Sequence, residues 1–266
     1  MRRGSTITTS ARTRAARHMI PCIDVRDGMA TDPSGAPRLA DPLDVVGIAT
    51  GYADDGVGQL FLDVVDTWSA VDYLPDLLRK LRATGLELLV SVQHGALPSP
   101  KECRELLSAG ADALSVSTSM VEEPDRVADT VRLLGSRRFI GVVNCSGDRQ
   151  QGWRTVIHGG ATRTTVDALA VAQRFGELRV RALLANNVDR EGTGIGYDLD
   201  LVRAAARASA LPVIASGGAG SASQLADALN GGDASHVLVN KVVHSGRETV
   251  GSLSESLCPH LRREAG

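Results

Sequence analysis

The sequence predicts a (β/α)8 barrel, a closed ring of eight parallel strands surrounded by helices. Eight short apolar runs alternate with longer amphipathic stretches over residues 19–262, as strands and helices do in such a barrel. The 266 residues, 43% of them apolar, suit one large core better than two small ones. Motifs of the first half also recur in the second. A doubly wound open sheet has the same alternation and is the alternative fold.

Each apolar run is too short for a buried helix and suits a strand that is buried on both faces. The amphipathic segments between them carry Asp or Pro near their starts and often Gly at their ends, the residues typical of helix caps. The eight predicted strands are MIPCID (19–24), QLFLDV (59–64), LELLVSV (86–92), ALSVS (113–117), FIGVVN (139–144), RALLAN (181–186), PVIAS (212–216) and HVLVN (236–240).

An internal repeat predicts that the barrel is a duplicated half-barrel. Asp63-Val64-Val65-Asp66 recurs as Asn186-Asn187-Val188-Asp189, and Cys22-Ile23-Asp24 is echoed by Val142-Val143-Asn144. Four strand–helix units repeated once give eight. Because barrel active sites lie at the carboxyl ends of the strands, the repeat predicts that Asp24 and Asn144 lie on opposite sides of one mouth.

Residues 1–18 differ from the rest of the chain, with five arginines, no acidic residue and no apolar periodicity. We expect a disordered arm here, or a transit-like segment, and assign the barrel to residues 19–262. The net charge of -2 and the 3% aromatic content do not indicate a nucleic-acid or membrane partner. The four cysteines are far apart, which favours a reducing compartment, the cytoplasm.

The clearest local signal for a ligand is IASGGAG (214–220), a strand followed by glycines and a helix start. Such a turn exposes backbone N–H groups to an anion, although a tight turn needing positive φ is the alternative. Metal-ligand spacing and a GxGxxG fingerprint are absent from the sequence, so neither a metal nor another cofactor is expected. The predicted substrate- and phosphate-binding residues are Ser115, Thr118, Asn187, Asp189, Ser216, Gly217, Gly218, Gly220, Asn240 and Lys241.

Four segments give the chain a family resemblance over roughly residues 17–262. IPCIDVRDG, GADALSVSTSMVEEP, NNVDREGTGIGYD and PVIASGGAG resemble the cyclase subunit of imidazole glycerol phosphate synthase, the HisF family. The related isomerase of histidine biosynthesis shares the duplicated barrel, but DREGTGIGYD favours the cyclase. The resemblance implies attack of ammonia on a phosphoribulosyl formimino-carboxamide ribotide, followed by ring closure and cleavage.

The resemblance also implies two catalytic residues, an aspartate after strand 1 and an aspartate after strand 5. The first matches Asp24, whereas the second is Asn144, and an amide cannot accept or release the proton as a carboxyl group does. Further departures are His94-Gly95-Ala96 where the family has three glycines in its first phosphate site, Ser117 for an asparagine and Glu191 for an aspartate. The family's substrate-loop lysine has no counterpart in residues 29–32.

Two further expectations concern the ends of the barrel. The family admits ammonia from a glutaminase partner past four charged residues, and the matching positions here are His18, Gln59, Ala113 and Ala182, which makes a glutaminase partner doubtful. Residues 146–164, with four glycines and three arginines, are expected to form a mobile flap over the mouth. A solvated β-hairpin without ligand contact is the alternative for this segment.

Three functions therefore remain open from the sequence. The first is the histidine-pathway cyclase (a lyase), in which Asp24 is the remaining proton-transfer group. The second is a diverged paralogue that performs another cyclisation or lyase step on a sugar phosphate or nucleotide, and it is favoured by Asn144. The third is a non-catalytic barrel that binds a phosphorylated ligand.

Overall fold

A computed structural model describes residues 9–33, 39–245 and 248–261 of the chain. These residues form eleven strands, and eight of the strands build a parallel barrel. None of the described helices is long and apolar enough to cross a membrane. The strands are β1 (Met19–Arg26), β2 (Met29–Ala30), β3 (Gln59–Val64), β4 (Glu87–Val92), β5 (Ala113–Val116), β6 (Phe139–Asp148), β7 (Gly152–Ile157), β8 (Thr162–Asp167), β9 (Leu183–Asn187), β10 (Val213–Ser216) and β11 (Ala234–Val239).

The barrel closes between its first and last strands. Strand β1 pairs in parallel with β3 on one side and with β11 on the other. The remaining neighbours follow in chain order, with β5 beside β6 and β6 beside β9. The (β/α)8 prediction is thereby confirmed and the open sheet is wrong, since an open sheet would leave two strands unpaired on one side. All eight predicted runs contain a barrel strand.

Helices cover the outside of the barrel and begin at the caps that the sequence predicts. Ser99 and Glu102 form a reciprocal capping box at the start of α4, and Pro100 occupies its first position, where a missing N–H costs nothing. The helices are α1 (Thr9–Ala16), α2 (Val45–Asp54), α3 (Leu74–Leu81), α4 (Pro100–Ala109), α5 (Thr118–Glu122), α6 (Pro124–Leu134), α7 (Ala168–Glu177), α8 (Leu199–Ser209), α9 (Ala222–Gly231), α10 (Lys241–His244) and α11 (Val250–Leu257).

Two apolar clusters stabilise the barrel. The larger one lies between the strands and the surrounding helices. The smaller one fills the barrel interior and includes Cys22, Phe61, Val142 and Leu184. Because side chains alternate between the two faces of a strand, the residues two positions further along these strands also point inward. Those residues are polar in all four cases, so the interior changes from apolar to polar toward the carboxyl ends of the strands.

The duplication predicted from the sequence is visible in the backbone. Asp24 is the register partner of Asp63 across β1 and β3, and Asn144 is the register partner of Asn186 across β6 and β9. The residues after β5 and β11, Ser117 and Asn240, share an unusual conformation near φ -134, ψ -83 and φ -132, ψ -90. The two halves therefore present equivalent positions at the mouth, but with different side chains.

The N-terminal segment differs from the predicted disordered arm. Residues 1–8 lie outside the described residues, but α1 forms a helix in which Ala15 and Ala16 are completely buried. Arg12 pairs with Asp55 at 3.3 Å and with Glu255, on α11, at 3.0 Å. Small alanines allow close packing without an apolar stripe, which is why hydrophobic periodicity did not reveal this helix.

The predicted flap is a three-stranded antiparallel ribbon, here called the ribbon (residues 145–167). The second half of β6 pairs with β7, and β7 pairs with β8. Trp153 anchors the ribbon because its side chain is buried and donates to Asp198 at 2.9 Å. The segment is thus built as a hairpin, as in the alternative expectation, although its tip lies over the mouth.

Candidate active site at the barrel mouth

Two adjoining hollows lie at the carboxyl ends of the strands. The central hollow, of ≈ 280 Å³, occupies the middle of the mouth. The loop hollow, of ≈ 410 Å³, lies beside the glycine loop 216–220. The two hollows share one wall, which is formed by Asp24, Asp63, Glu191, Leu238 and Asn240. Three carboxyl groups on this wall give the mouth the character of a proton-transfer site.

Asp24 lies at the junction of the two hollows, as the sequence predicts for a catalytic residue. The side-chain amide of Asn240 donates to its two carboxylate oxygens at 3.1 Å and 3.2 Å. The Cys22 thiol is 3.5 Å from Oδ1, and burial raises the pKa of that thiol. Asp24 therefore has two neutral hydrogen-bond donors, of which the Asn240 amide fixes its orientation, and it faces the cavity as an acceptor.

Asn144 lines the central hollow and belongs to a row of linked side chains. The Asn186 amide nitrogen donates to Asn144 Oδ1 at 2.8 Å and to Glu191 Oε1 at 2.6 Å. Asn144 in turn donates to Ser117 Oγ at 3.4 Å. The two amides and the Glu191 carboxylate hold one another in place, so this side of the mouth can bind a hydroxyl group or a water but has no carboxyl at position 144.

The glycine loop after β10 requires glycine for two reasons. Gly217 and Gly218 have φ of +83° and +102°, values that other residues rarely adopt. A Cβ atom on Gly217 would lie 2.6 Å from the Asn187 carbonyl oxygen, and one on Gly218 would lie 2.4 Å from that of Gly196. Within the described part of the chain, the Gly217 and Gly218 N–H groups have no hydrogen-bond partner, whereas Gly220 N–H donates to Gln224 at 2.8 Å.

Lys241 is the one cation among the described residues that line the loop hollow. Its ammonium group donates to Asp32 at 2.5 Å. This hydrogen bond is the main reason that the pKa of Lys241 is raised. The lysine stays charged at neutral pH, and an anion in the loop hollow would compete with Asp32 for it.

The equivalent loop of the first half, residues 93–96, is closed by the chain itself. His94 adopts φ +57° and its carbonyl oxygen accepts from Thr118 Oγ1 at 3.0 Å. The same hydroxyl accepts from His158 N–H, in the ribbon, at 3.1 Å. Gly159 lies so close that a Cβ atom would be 2.5 Å from the His94 ring. Thr118, predicted to bind phosphate, is therefore engaged in holding the ribbon tip.

Burial, and then the neighbouring His158, lowers the pKa of His94, so its ring is neutral at pH 7. The two pseudo-equivalent loops consequently differ in what they offer an anion. The glycine loop presents open backbone N–H groups beside a lysine, whereas the 93–96 loop presents a neutral imidazole covered by the ribbon.

Asn187 and Asp189, also predicted to bind substrate, hold the ribbon instead. Neither lines the described hollows. Asn187 donates to the carbonyl oxygen of Gly147 at 3.0 Å. Asp189 accepts from Gly147 N–H at 2.9 Å and from Arg163 at 3.0 Å, and these two interactions, the backbone one first, lower its pKa. The polar pair after β9 thus fastens β6 and the ribbon to the barrel.

The three arginines of the ribbon have carboxylate partners within the chain. Arg149 pairs with Asp200 at 3.9 Å, Arg154 with Asp167 at 3.4 Å and Arg163 with Asp189 at 3.0 Å. Of the other predicted binding residues, Ser115 and Ser216 line the central hollow. Ser115 Oγ is buried without a hydrogen-bond partner among the described residues, so it is free to meet a ligand.

Asp63 has no distinguishing signal in the sequence beyond its place in the internal repeat. It lines both hollows beside Asp24. Burial, and then the charge of Asp24, raises the pKa of Asp63 to about 6. Asn186 was also missed as a candidate site residue, because its neighbour Asn187 has the same side chain. Because side chains alternate between the two faces of a strand, Asn186 points into the barrel and Asn187 points away from it.

At the opposite end of the barrel, charged residues lie at positions other than the four that match the family's charged residues. Gln59 donates to Glu87 at 2.9 Å, and Arg181 forms an ion pair with the same carboxylate. The ring of His18, just before β1, lies 6.2 Å from the ring of His236, on β11. Ala113 is completely buried. Gln59, Ala113 and Ala182 carry no charge, but Glu87 and Arg181 place an ion pair at this end.

Comparison with known proteins supports the resemblance. The family described as "Histidine biosynthesis protein" matches residues 18–249. The imidazole glycerol phosphate synthase subunit HisF of Symbiobacterium thermophilum is 34% identical over 244 residues, which are 91% of this chain and 95% of that protein.

The chain belongs to the HisF family of histidine biosynthesis proteins. Its barrel and its duplicated mouth agree with that membership. Within the described ranges, no group of three or more His, Cys, Asp or Glu side chains is arranged to hold a metal ion. The HisF-like mouth is therefore a site of carboxyl groups, amides and backbone N–H groups.

Proposed function

We propose that this HisF-family chain is a cyclase or lyase acting on a phosphorylated ribosyl or ribulosyl nucleotide-type substrate, as in imidazole glycerol phosphate formation. The observation that carries the proposal is the position of Asp24 between the central hollow and the glycine loop. A phosphate held at one end of the cavity would place sugar carbons against a fixed carboxylate. We place this activity in the cytoplasm, without a cofactor.

The residues divide the work in this proposal. The Gly217 and Gly218 N–H groups, with Lys241, hold the phosphate. Asp24 takes a proton from the sugar or amine as the ring forms. Asn144, held by Asn186 and Ser117, orients a hydroxyl group on the opposite face but transfers no proton.

The test is turnover of the histidine-pathway ribotide with free ammonia, which needs no partner subunit. We expect Asp24→Asn to lower kcat by about 10²–10⁴-fold, the usual contribution of a general acid or base. Asp76→Asn is the matched control, because Asp76 is highly exposed on α3 and carries the same charge. Wild-type turnover that Asp24→Asn leaves unchanged would refute the proposal.

A second candidate is favoured by the closed 93–96 loop. With His94 and the ribbon tip filling that side, the cavity offers one open anion loop rather than two. The chain would then be a diverged paralogue that performs a related cyclisation or lyase step on a substrate with a single phosphate. Ribose 5-phosphate binding more tightly than the doubly phosphorylated ribotide in calorimetry would favour this candidate. Binding without turnover of any such compound would leave a non-catalytic barrel.

In this proposal, a glutaminase partner delivers ammonia to the barrel only inefficiently. The HisF relative is named as a subunit, and the end of the barrel away from the mouth is where ammonia would enter. The Arg181–Glu87 pair and Gln59 bridge the entrance here. We propose that ammonia supplied in solution supports higher turnover than glutamine with any glutaminase subunit. Equal rates with the two nitrogen sources would show that coupling is intact.

A further inference from the structure

Asp63 and Asp24 occupy equivalent positions on adjacent strands. They are register partners in the β1–β3 pair, and neighbouring strands lie about 4.8 Å apart. The residues two positions earlier, Cys22 and Phe61, belong to the barrel interior. Both carboxyl groups therefore point into the barrel, and both line the two hollows.

The surroundings of Asp63 favour its protonated form. Its Oδ1 atom is buried and has no hydrogen-bond partner among the described residues. The charged groups that face it are the carboxylates Asp24 and Glu191, while a hydrogen bond with Ser91 opposes their effect. The nearby cation, Lys241, is already paired with Asp32. An ionised Asp63 would thus be partly desolvated among like charges, which is costly.

The second half of the barrel shows the contrast. The positions equivalent to Asp24 and Asp63 are Asn144 and Asn186, whose amides bond to each other at 2.8 Å. Neither can exchange a proton at neutral pH. Both groups able to move a proton at these four positions therefore lie on one side of the mouth.

We propose that Asp63 is the proton partner of Asp24, so that proton transfer in this barrel runs through two adjacent carboxyl groups on one side of the mouth. The inference rests on the proposed function for its substrate. Asp24, ionised, accepts a proton from the reacting C–H or N–H bond, whose electron pair stays with the substrate. Asp63, protonated, gives its proton to the departing group, and proton exchange between the two carboxyls restores the starting state. One proton is taken and one is released, so the step balances.

The titration of Asp63 agrees with this role. Its pKa is raised to about 6 by burial first and by Asp24 second. A carboxyl group with a raised pKa can donate a proton in the pH range where that pKa lies. Because the charge of Asp24 contributes to the shift, removal of Asp24 must change the titration of Asp63.

The first experiment needs no substrate. Carboxyl carbon NMR of the full chain follows the titration of Asp63 in the wild type, in Asp24→Asn and in Asp76→Asn, which removes a highly exposed carboxylate of equal charge. We expect the Asp63 titration to be centred near pH 6 in the wild type and in Asp76→Asn. In Asp24→Asn it should move down by at least about half a unit, since the like charge is gone.

The second experiment measures kcat and KM as a function of pH, with the ribotide and ammonia and with ribose 5-phosphate. Asp63→Asn should lower kcat by about 10²–10⁴-fold with little change in KM. It should also abolish the decline of activity above pH 6 that deprotonation of Asp63 causes. Asp63→Glu should retain part of the activity, because a carboxyl group is still present.

The outcomes separate the two proposals. The proton-pair proposal is wrong, while the proposed function stands, if Asp63 titrates near pH 4 and its titration is the same in Asp24→Asn. It is also wrong if Asp63→Asn keeps the full kcat and the same pH profile. If no substrate is turned over by the wild type, the proposed function fails, and the coupled titration alone decides the proposal.

Discussion

Replacement of Gly217 by alanine tests the phosphate loop most directly. The residue has φ +83° and lines the loop hollow. A Cβ atom there would lie 2.6 Å from the Asn187 carbonyl oxygen and 2.7 Å from Asn186 Oδ1. The first atom belongs to β9, which the barrel ladder holds on both sides. The loop must therefore move away from the strand, and its N–H groups move with it.

The expected magnitudes follow from that geometry. A non-glycine residue at positive φ costs about 1–2 kcal/mol, and the forced displacement adds about 1–3 kcal/mol to the loss of stability. Loss of one hydrogen bond to a charged ligand costs about 1.5–3 kcal/mol. We therefore expect Gly217→Ala to weaken binding of ribose 5-phosphate by about ten- to a hundredfold.

The assay is calorimetric titration with ribose 5-phosphate, together with urea unfolding of each variant. Gly85→Ala is the matched control, because Gly85 has φ +75° but open space around its missing Cβ atom, and it lies in the turn before β4 at the other end of the barrel. The control should lose stability without losing affinity. Equal affinity of Gly217→Ala and Gly85→Ala would show that the glycine loop does not bind the phosphate.

Three further predictions concern the mouth and the ribbon. Asn144→Asp should raise turnover of the ribotide with ammonia by about 10²–10⁴-fold if the family reaction is native and lacks a proton-transfer group on the face opposite Asp24 and Asp63. It should lower native activity if the chain is a paralogue with its own chemistry. Folding raises the pKa of Asp63 to about 6, so the folded state binds more protons than the unfolded state between pH ~4 and ~6. The free energy of unfolding should therefore fall by roughly 3 kcal/mol as the pH rises through that window. Urea unfolding of Asp63→Asn should not show this fall. Replacing Arg149, Arg154 and Arg163 together by alanine should change phosphate affinity at low salt by less than about twofold, or ~0.4 kcal/mol. The reason is that each arginine already has a carboxylate partner. A larger loss of affinity in the calorimetric titration would show that the ribbon closes on the ligand.

The sequence determined the barrel and the position of its mouth. Strands buried on both faces read as continuous apolar runs, and the repeat of two halves required an even number of strand–helix units. Those local patterns place Asp24 and Asn144 at strand ends, and the structure brings both to the wall of the central hollow. The glycine loop could also be found, since Gly217 and Gly218 are needed where φ is positive.

Hydrophobic periodicity failed where packing depends on small or isolated side chains. Helix α1 is held by two buried alanines and by Arg12, which leave no apolar stripe in the sequence. The ribbon depends on Trp153, whose partner Asp198 lies 45 residues further along the chain. Neither contact leaves a periodic signal within its own segment.

Only the tertiary structure decided which polar residues are open to a ligand. Thr118, Asn187 and Asp189 look like binding residues in the sequence, but the ribbon occupies their hydrogen-bonding groups. Asp63 looks ordinary in the sequence and becomes exceptional through burial and the charge of Asp24, 39 residues earlier. The physical reason is that local sequence fixes burial and backbone conformation, whereas hydrogen bonds and electrostatic fields come from side chains that only folding brings together.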